Sequence, residues 1–570
     1  MGLGMLSLVF FAMAATHSLT SVSTQTVLLC LAFVLGLSVV AYDAAKVVEN
    51  WAKQKRWPSL STCIWVLLFV CLAAIVLIPA MAPPSGSDWD SLAYHLSIPK
   101  LYLQHGGFYY IDWSSHSDFP FLVEMLYTPA LALNDPAGAK MVHYLYGVLL
   151  VLAVVALVRE HFGPKAAPLA ALGFVSVPLV LWEATTAYID LATALYTVVA
   201  VYLLLDYLDK AELRSLVGCG IATGFAASTK MTGLTLIPLL VLWLLIDRWS
   251  IVRRIEWKRG LAFCGVAFLT CSPWYIKSLI YTGNPVYPFF YSLFGGKDWT
   301  ADLAQNYTGL QANFGAGHTL GSFLMLPWDL TMHSERFYDT PGLFIGPILL
   351  IGAPLLLVAR YKSRKLLGLT LFFLAQMLIW FKLTQQSRYL IPAFAILAVS
   401  IAVIVYSDER FKIARKAMYV AFAASALFGV FTLVPSVRSS APVVFGSETR
   451  DEYLTRTLPI YTAEKWINEN TGNAKVALFG DTRGFYLDRP YVWADPGHNK
   501  RFTRDYDSAE DLVSYLKSQG VTHVLVDFRF FPPPQGAGGT AKIVYQAIDS
   551  GRFEQAFGDE SGGTAVYRIR

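Results

Sequence analysis

The sequence predicts a mainly α protein, a polytopic transmembrane helical fold with a small α/β domain at its C-terminal end. Three observations lead there. The 570-residue chain is 55% hydrophobic and 15% charged, with a mean hydropathy of +0.47, far too apolar for a soluble protein of that length. Long uncharged runs recur along it, most of them sufficient to cross ~30 Å of hydrocarbon. From about Ser439 the composition changes to that of a soluble chain in which strand and helix patterns alternate. The expected units are therefore 1–438 and 439–570.

Apolar segments fall near 3–16, 24–43, 61–82, 140–158, 166–182, 185–205, 215–229, 232–247, 260–281, 342–359, 366–383, 388–406 and 414–435, about thirteen spans. The first lacks a basic leader and reads as a span rather than a cleaved signal. Lys and Arg gather in alternate loops: Lys46, Lys53, Lys55 and Arg56; Arg159 and Lys165; Lys210 and Arg214. The same holds for Arg248 to Arg259, for Arg360 to Lys365, and for Arg410 to Lys416. Those loops are expected in the cytoplasm, with the N-terminus. Loops 83–139 and 282–341 and the C-terminal domain are then outside. All six cysteines lie in or beside apolar segments, so no disulfide framework supports the outer parts.

Segments 215–229 and 232–247 are short for a membrane and are joined by Ser228-Thr229-Lys230-Met231-Thr232-Gly233. Short helices meeting at a polar break usually line a cavity, because unpaired backbone is not tolerated against lipid. In the C-terminal domain, 462–470 and 508–520 read as amphipathic helices, and 475–480, 523–528 and 564–569 as strands. It carries no dinucleotide fingerprint, P-loop or nucleophile elbow.

The chemistry-bearing stretch is Ser85 to Glu124. It holds Asp88, Asp90, Asp112 and Asp118, three histidines including His95, many aromatics and a single cation, Lys100. A tether between two spans needs none of these. Ser87 can cap a helix starting at Asp88, which puts Asp90 and Tyr94 on one face at i, i+4 before Pro99 ends it. Two readings of Asp90 follow. Ser87-x-x-Asp90 has capping-box spacing, and a carboxylate at the mouth of a membrane cavity can serve as a general base.

Further polar residues recur near the expected outer ends of spans: Glu183, Tyr188, Asp190, Lys230, Trp274, Tyr275, Asn284, Lys382 and Arg388. Ionisable groups cost ~2.5–3.5 kcal/mol each at mid-bilayer, so several at one depth imply a shared polar cavity. Lys230, beside threonines and a glycine, suits a phosphate. Taken singly, Asp190 can be a span-end acid paired with a cation, Lys382 and Arg388 can snorkel, and Asn284 can belong to a rigid turn.

Together these residues resemble the GT-C superfamily of polytopic glycosyltransferases that use lipid-linked sugars. They are most similar to the bacterial group with aminoarabinose and galacturonic acid transferases of lipid A, and more distantly to protein O-mannosyltransferases. Over about 1–435 the resemblance is carried by Asp90 with Tyr94 and Gly106, by Asp118-Phe119-Pro120, and by Tyr188-Ile189-Asp190. Thr229-Lys230 with Gly233, Pro273-Trp274-Tyr275 with Gly283-Asn284-Pro285, and Arg388-Tyr389-Leu390-Ile391-Pro392 complete it. Two departures stand out. The family often has Asp-Glu where this chain has Asp90-Ser91, which leaves Asp88 open as the base. It often has Pro-Pro where this chain has Pro120-Phe121.

The resemblance implies a glycosyltransferase of the bacterial inner membrane acting at its outer face. Its donor would be a polyprenyl-phosphate sugar, its acceptor a hydroxyl on lipid, polysaccharide or protein, and no nucleic acid would take part. Asp90 would be the catalytic base, with Asp88, Asp118, His95 and Tyr94 as alternative bases or acceptor-positioning groups. Lys230, Arg388 and Lys382 would hold the donor phosphate, and Glu183, Tyr188, Asp190, Trp274, Tyr275 and Asn284 would line the cavity. One displacement implies inversion at the anomeric carbon. A divalent cation, Mg or Mn, is allowed by Asp90, Asp118 and Glu183 but enforced by no spacing. The rival reading is a transporter or flippase of a lipid-linked sugar. Against it, the polar groups crowd one face and no inverted repeat is visible.

Overall fold

Backbone groups in lipid must pair internally, so the apolar runs become helices. The computed structural model of the chain describes residues 1–20, 24–25, 28, 59–252, 256–338, 344–361, 363–494, 506–559 and 562–570. Most of the predicted span 24–43 lies outside the described residues, as do Lys46, Lys53, Lys55, Arg56, Arg253, Arg254 and Lys362.

Among the described residues, eight helices are long and apolar enough to cross a membrane: Leu60–Met81, Pro136–His161, Asp190–Lys210, Met231–Arg248, Trp257–Thr282, Arg364–Leu383, Ser387–Ser407 and Glu409–Val444. Gly2–Ala15 and Ile348–Val358 are apolar but shorter, and Leu213–Thr229 has 17 residues. The predicted span 166–182 is not one helix. It splits into Ala167–Val175 and Pro178–Glu183, because a residue before proline is pushed out of the helical region and Val177 sits at ψ 104°.

Two helices form the centre. The hydropathic windows of Asp190–Lys210 and Ser387–Ser407 are 78% and 89% buried, against 17% for Leu60–Met81. Helices apolar all round belong inside a bundle. Both central helices begin at the same end, with Asp190 and Arg388 in their first turns.

The first large loop covers that end. The expected helix from Asp88 is corrected in two respects. After Trp89 and Asp90 it widens at once into a π turn, Ser91–His95, and Ser87 supplies no cap. Pro99 does not end a helix but sits at the third position of Ser97–His105, where its missing N–H has no intrahelical partner to lose. Gly106 then stops that helix at φ 88°. The loop packs inward, with Leu92, Leu96, Ile98 and Tyr102 fully buried.

The longest helix among the described residues, Lys412–Val444, runs past position 439. A capping box between Thr449 and Glu452 then opens Arg450–Thr457. Among the described residues five strands follow, β1 (Val476–Phe479), β2 (Tyr491–Trp493), β3 (His523–Asp527), β4 (Phe553–Gly558) and β5 (Thr564–Ile569), in the order β2-β1-β3-β5-β4. β1, β2 and β3 are parallel, while β5 and β4 add antiparallel. The expected helices and strands are present. β2 and β4 escaped the sequence because one has three residues and the other is a largely exposed edge without alternation.

The domain rests on the loop. Trp113 packs 5.1 Å from Tyr491 and 5.2 Å from Trp493, and Lys100 donates to the carbonyls of Phe485 and Leu487. Buried side chains of bundle, loop and domain form one continuous apolar core.

Candidate active site

The beginnings of the two central helices, the π turn and the break at Lys230 converge. Asp90 immediately precedes the π turn. Its carboxylate receives the Arg388 guanidinium at 2.7 Å and the Tyr94 hydroxyl at 2.9 Å, one turn on. Its backbone N–H donates to the Tyr188 hydroxyl at 3.3 Å. No capping bond is made by Asp90, so the cap reading is set aside by geometry. The guanidinium and the Tyr94 hydroxyl outweigh burial and hold the Asp90 carboxyl down at about 2.

Lys230 follows Leu213–Thr229 in extended conformation (φ −149°, ψ 140°). Its ammonium meets Asp190 at 2.7 Å and lies 3.5 Å from the Tyr389 ring centroid. Gly233 permits the break, since a Cβ there would stand 2.4 Å from the Ala226 carbonyl. Tyr275 supports the same helix end by donating to the Ala227 carbonyl at 2.8 Å. Glu183 is fully buried, and neither of its carboxylate oxygens has a hydrogen-bond partner among the described residues. The pocket thus gathers Asp90, Asp190 and Glu183 around two cations.

Beside it a narrow cleft of about 60 Å³ runs between the helices Asp190–Lys210, Arg364–Leu383 and Ile391–Ser407. Thr193, Thr197, Thr232, Trp380, Tyr389 and Pro392 line it.

The other predicted residues are placed as follows. Asp88 is buried 3.5 Å from the Lys140 ammonium and accepts from the Ser85 N–H, away from Arg388; burial raises its carboxyl above the usual range. Asp118 is buried beside Ser117, whose carbonyl accepts from Lys277. His95 meets Glu124 at 2.7 Å. Burial drives that imidazole well below its ordinary value and Glu124 well above. Trp274 is buried against Phe11 and Phe108. Asn284 spends its amide within its own turn, donating to Phe289 and Gly295 and accepting from Val286. Lys382 is exposed over Phe381, outside the buried pocket.

Sequence reading passed over Glu124 and His143. His143 accepts from the Leu191 N–H, so its Nδ1–H donates to the Thr186 carbonyl, and it fixes the turn that presents Asp190. A lone acid in the apolar run Phe121–Tyr127 and a lone His inside a span were the available signals. Among the described residues, no group of three or more His, Cys, Asp or Glu is placed to hold a metal ion.

Residues 120–276 match the family described as dolichyl-phosphate-mannose-protein mannosyltransferase. No curated protein matches the chain. Among solved structures, ArnT from Cupriavidus metallidurans in the apo state is similar at 15% identity and TM-score 0.57, over 89% of this chain and 98% of that one. The same protein bound to undecaprenyl phosphate gives 16% and 0.53, over 88% and 98%. The archaeal oligosaccharyltransferase AglB from Archaeoglobus fulgidus, in complex with an inhibitory peptide and a dolichol-phosphate, gives 15% and 0.51, over 90% and 75%. The chain is an integral membrane protein that shares the fold of ArnT and AglB.

Proposed function

We propose that this protein transfers a sugar from a polyprenyl-phosphate donor to an acceptor hydroxyl at its domain-bearing end, the periplasmic face of a bacterial inner membrane. The observation that carries the reading is the pair of buried cation–carboxylate contacts, Arg388 with Asp90 and Lys230 with Asp190, close to a cleft between membrane helices that Tyr389 and Thr232 help to line. A structural ion pair explains one such contact. Two cations with an extra buried acid make a site that can exchange its own carboxylates for a phosphate.

Paired with Arg388, Asp90 is a weak base. An arriving donor phosphate competes for that guanidinium, and the carboxylate it displaces gains basicity as the substrate settles. Asp90 then takes the proton of the acceptor hydroxyl while that oxygen bonds to the anomeric carbon. The bond from that carbon to the phosphate oxygen breaks, and polyprenyl phosphate leaves with the electron pair, its charge held by Arg388 and Lys230. One displacement inverts the anomeric centre. The lipid-phosphate ligands of ArnT and AglB support the donor class. Acceptors on lipid, polysaccharide or protein all fit, and the mechanism calls on no Mg or Mn.

The test is transfer of radiolabelled sugar from polyprenyl-phosphate donors by purified protein in proteoliposomes without a gradient. A glycosylated product is expected. Movement of intact donor between leaflets with no product would favour the flippase reading instead.

A further inference from the structure

The C-terminal domain has a crevice position of its own, at the carboxyl ends of its parallel strands, and a half-buried side chain of this chain occupies it. In an open sheet, ligands bind beyond the carboxyl ends of the parallel strands where the strand order reverses. Here that point lies between β1 and β3, which continue into the same short pattern, Asp481-Thr-Arg483 and Asp527-Phe-Arg529. In each, the aspartate accepts the backbone N–H of the arginine, at 2.8 and 3.0 Å, and a two-pronged guanidinium contact. Both aspartates are fully buried. The side chain lodged there is Trp89, the neighbour of Asp90. The Arg483 guanidinium lies 4.2 Å from its ring centroid, and Phe530 meets it edge-on at 4.9 Å.

The main chain leading to Trp89 is held as closely. Arg483 donates to the Gly86 carbonyl at 2.9 Å, and the Gly86 N–H donates to Thr457 at 3.1 Å. Tyr486 donates to the Pro84 carbonyl and Tyr453 to the Ser85 hydroxyl. Gly86 leaves no slack, since a Cβ there would meet the Thr457 carbonyl at 2.5 Å. On the membrane side the next residue is fixed by Arg388, Tyr94 and Tyr188.

We propose that the C-terminal domain is a positioning element for the Asp90 carboxylate, with Arg483 as its positioning residue and Trp89 as the plug that joins them. Cation and ring seat Trp89 in the crevice, and the seated segment sets where Asp90 stands against Arg388. The inference rests on the reading of Asp90 and Arg388 given above.

The test needs no knowledge of the sugar, because Asp90 and a phosphate compete for Arg388. The probe is undecaprenyl phosphate, titrated into the purified full-length protein in nanodiscs, with melting temperature recorded on each sample. Arg388→Ala should weaken binding and Asp90→Asn should tighten it; without that contrast the functional reading falls, and this inference with it. Given the contrast, Arg483→Ala should tighten binding by about 3-fold or more, a size typical of coupling between residues in one network. Since Arg483→Ala leaves Asp481 buried without its cation, Trp89→Ala provides a second route and should give the same sign, while Trp89→Phe stays near wild type. In an Asp90→Asn background neither alanine variant should change affinity further. Wild-type affinity in both single variants, or an equal change with and without Asp90, overturns the positioning role and leaves the domain a structural cover.

Discussion

Asp90 is poised and restrained by the same neighbour. Asp90→Asn should abolish transfer while the protein keeps its melting temperature to within a few degrees, because Tyr94 and Arg388 retain a neutral oxygen to meet; steady-state turnover with a calorimetric scan checks both. Lys230 is paired in the same way but separates differently. Lys230→Ala should lower both phosphate affinity and melting temperature, since Asp190 is then left buried without its cation. Adding Asp190→Asn should recover the melting temperature and not the affinity. Such a split assigns the ammonium to ligand, whereas recovery of both would assign it to scaffold. Glu464, in the C-terminal domain, offers a pH test with a definite sign. It is fully buried, with both oxygens unpartnered among the described residues, and burial followed by the Asp481 charge outweighs the pull of Lys100 and Arg483. A carboxyl raised above its unfolded value of 4.5 contributes stability below that pH and loses it as pH rises toward the folded value. Glu464→Gln should therefore leave the melting temperature unchanged near pH 4 and raise it at pH 8. A variant curve parallel to wild type would show that Glu464 is not protonated in the fold.

Among elements, those with strong periodicity were readable and those set by partners were not. Every described span, and the three strands with continuous or alternating apolar patterns, could be placed from hydropathy alone. The break at Lys230 was also legible, because a lysine between two short apolar runs has no simple place in lipid. The π turn was not, since its width is imposed by Ser91 accepting the Ala187 N–H and by Tyr188 reaching the Asp90 backbone, contacts almost a hundred residues away in sequence. Nor could the sequence tell which cation meets which acid. Arg388 and Lys230 were grouped for their chemistry, and only packing pairs them with Asp90 and Asp190. The break itself can be tested through Gly233. Gly233→Ala drives a methyl into the Ala226 carbonyl, an overlap costing about 1–3 kcal/mol unless the two short helices part. Undecaprenyl phosphate affinity should fall about tenfold or more on the 1.4-kcal-per-decade scale, with the fold retained. Unchanged affinity would place the break outside the donor site.

For the molecule as a whole, the change of composition at Ser439 suggested two separable units, and the packing joins them. Trp89, Trp113 and His116 of the loop face Arg483, Tyr491 and Trp493 of the domain. A protein ending at Val444 should still insert, but it should melt lower and show stronger binding of an apolar dye, because these rings lose their cover. A melting curve superimposable on that of the full chain would support two separable units.

The same contacts carry a consequence for the order in which the protein comes into being. Residues 84–89 leave the ribosome early, whereas Thr457, Arg483 and Phe530, which hold them, emerge after the last span has been made. Between the emergence of Arg388 and that of Thr457, Arg483 and Phe530, the chain carries every carboxylate and cation of the pocket without the contacts that hold the segment leading to Asp90. On the positioning role proposed above, a product terminated before Thr457 would occupy the membrane with its pocket residues present and the segment that leads to Asp90 unheld.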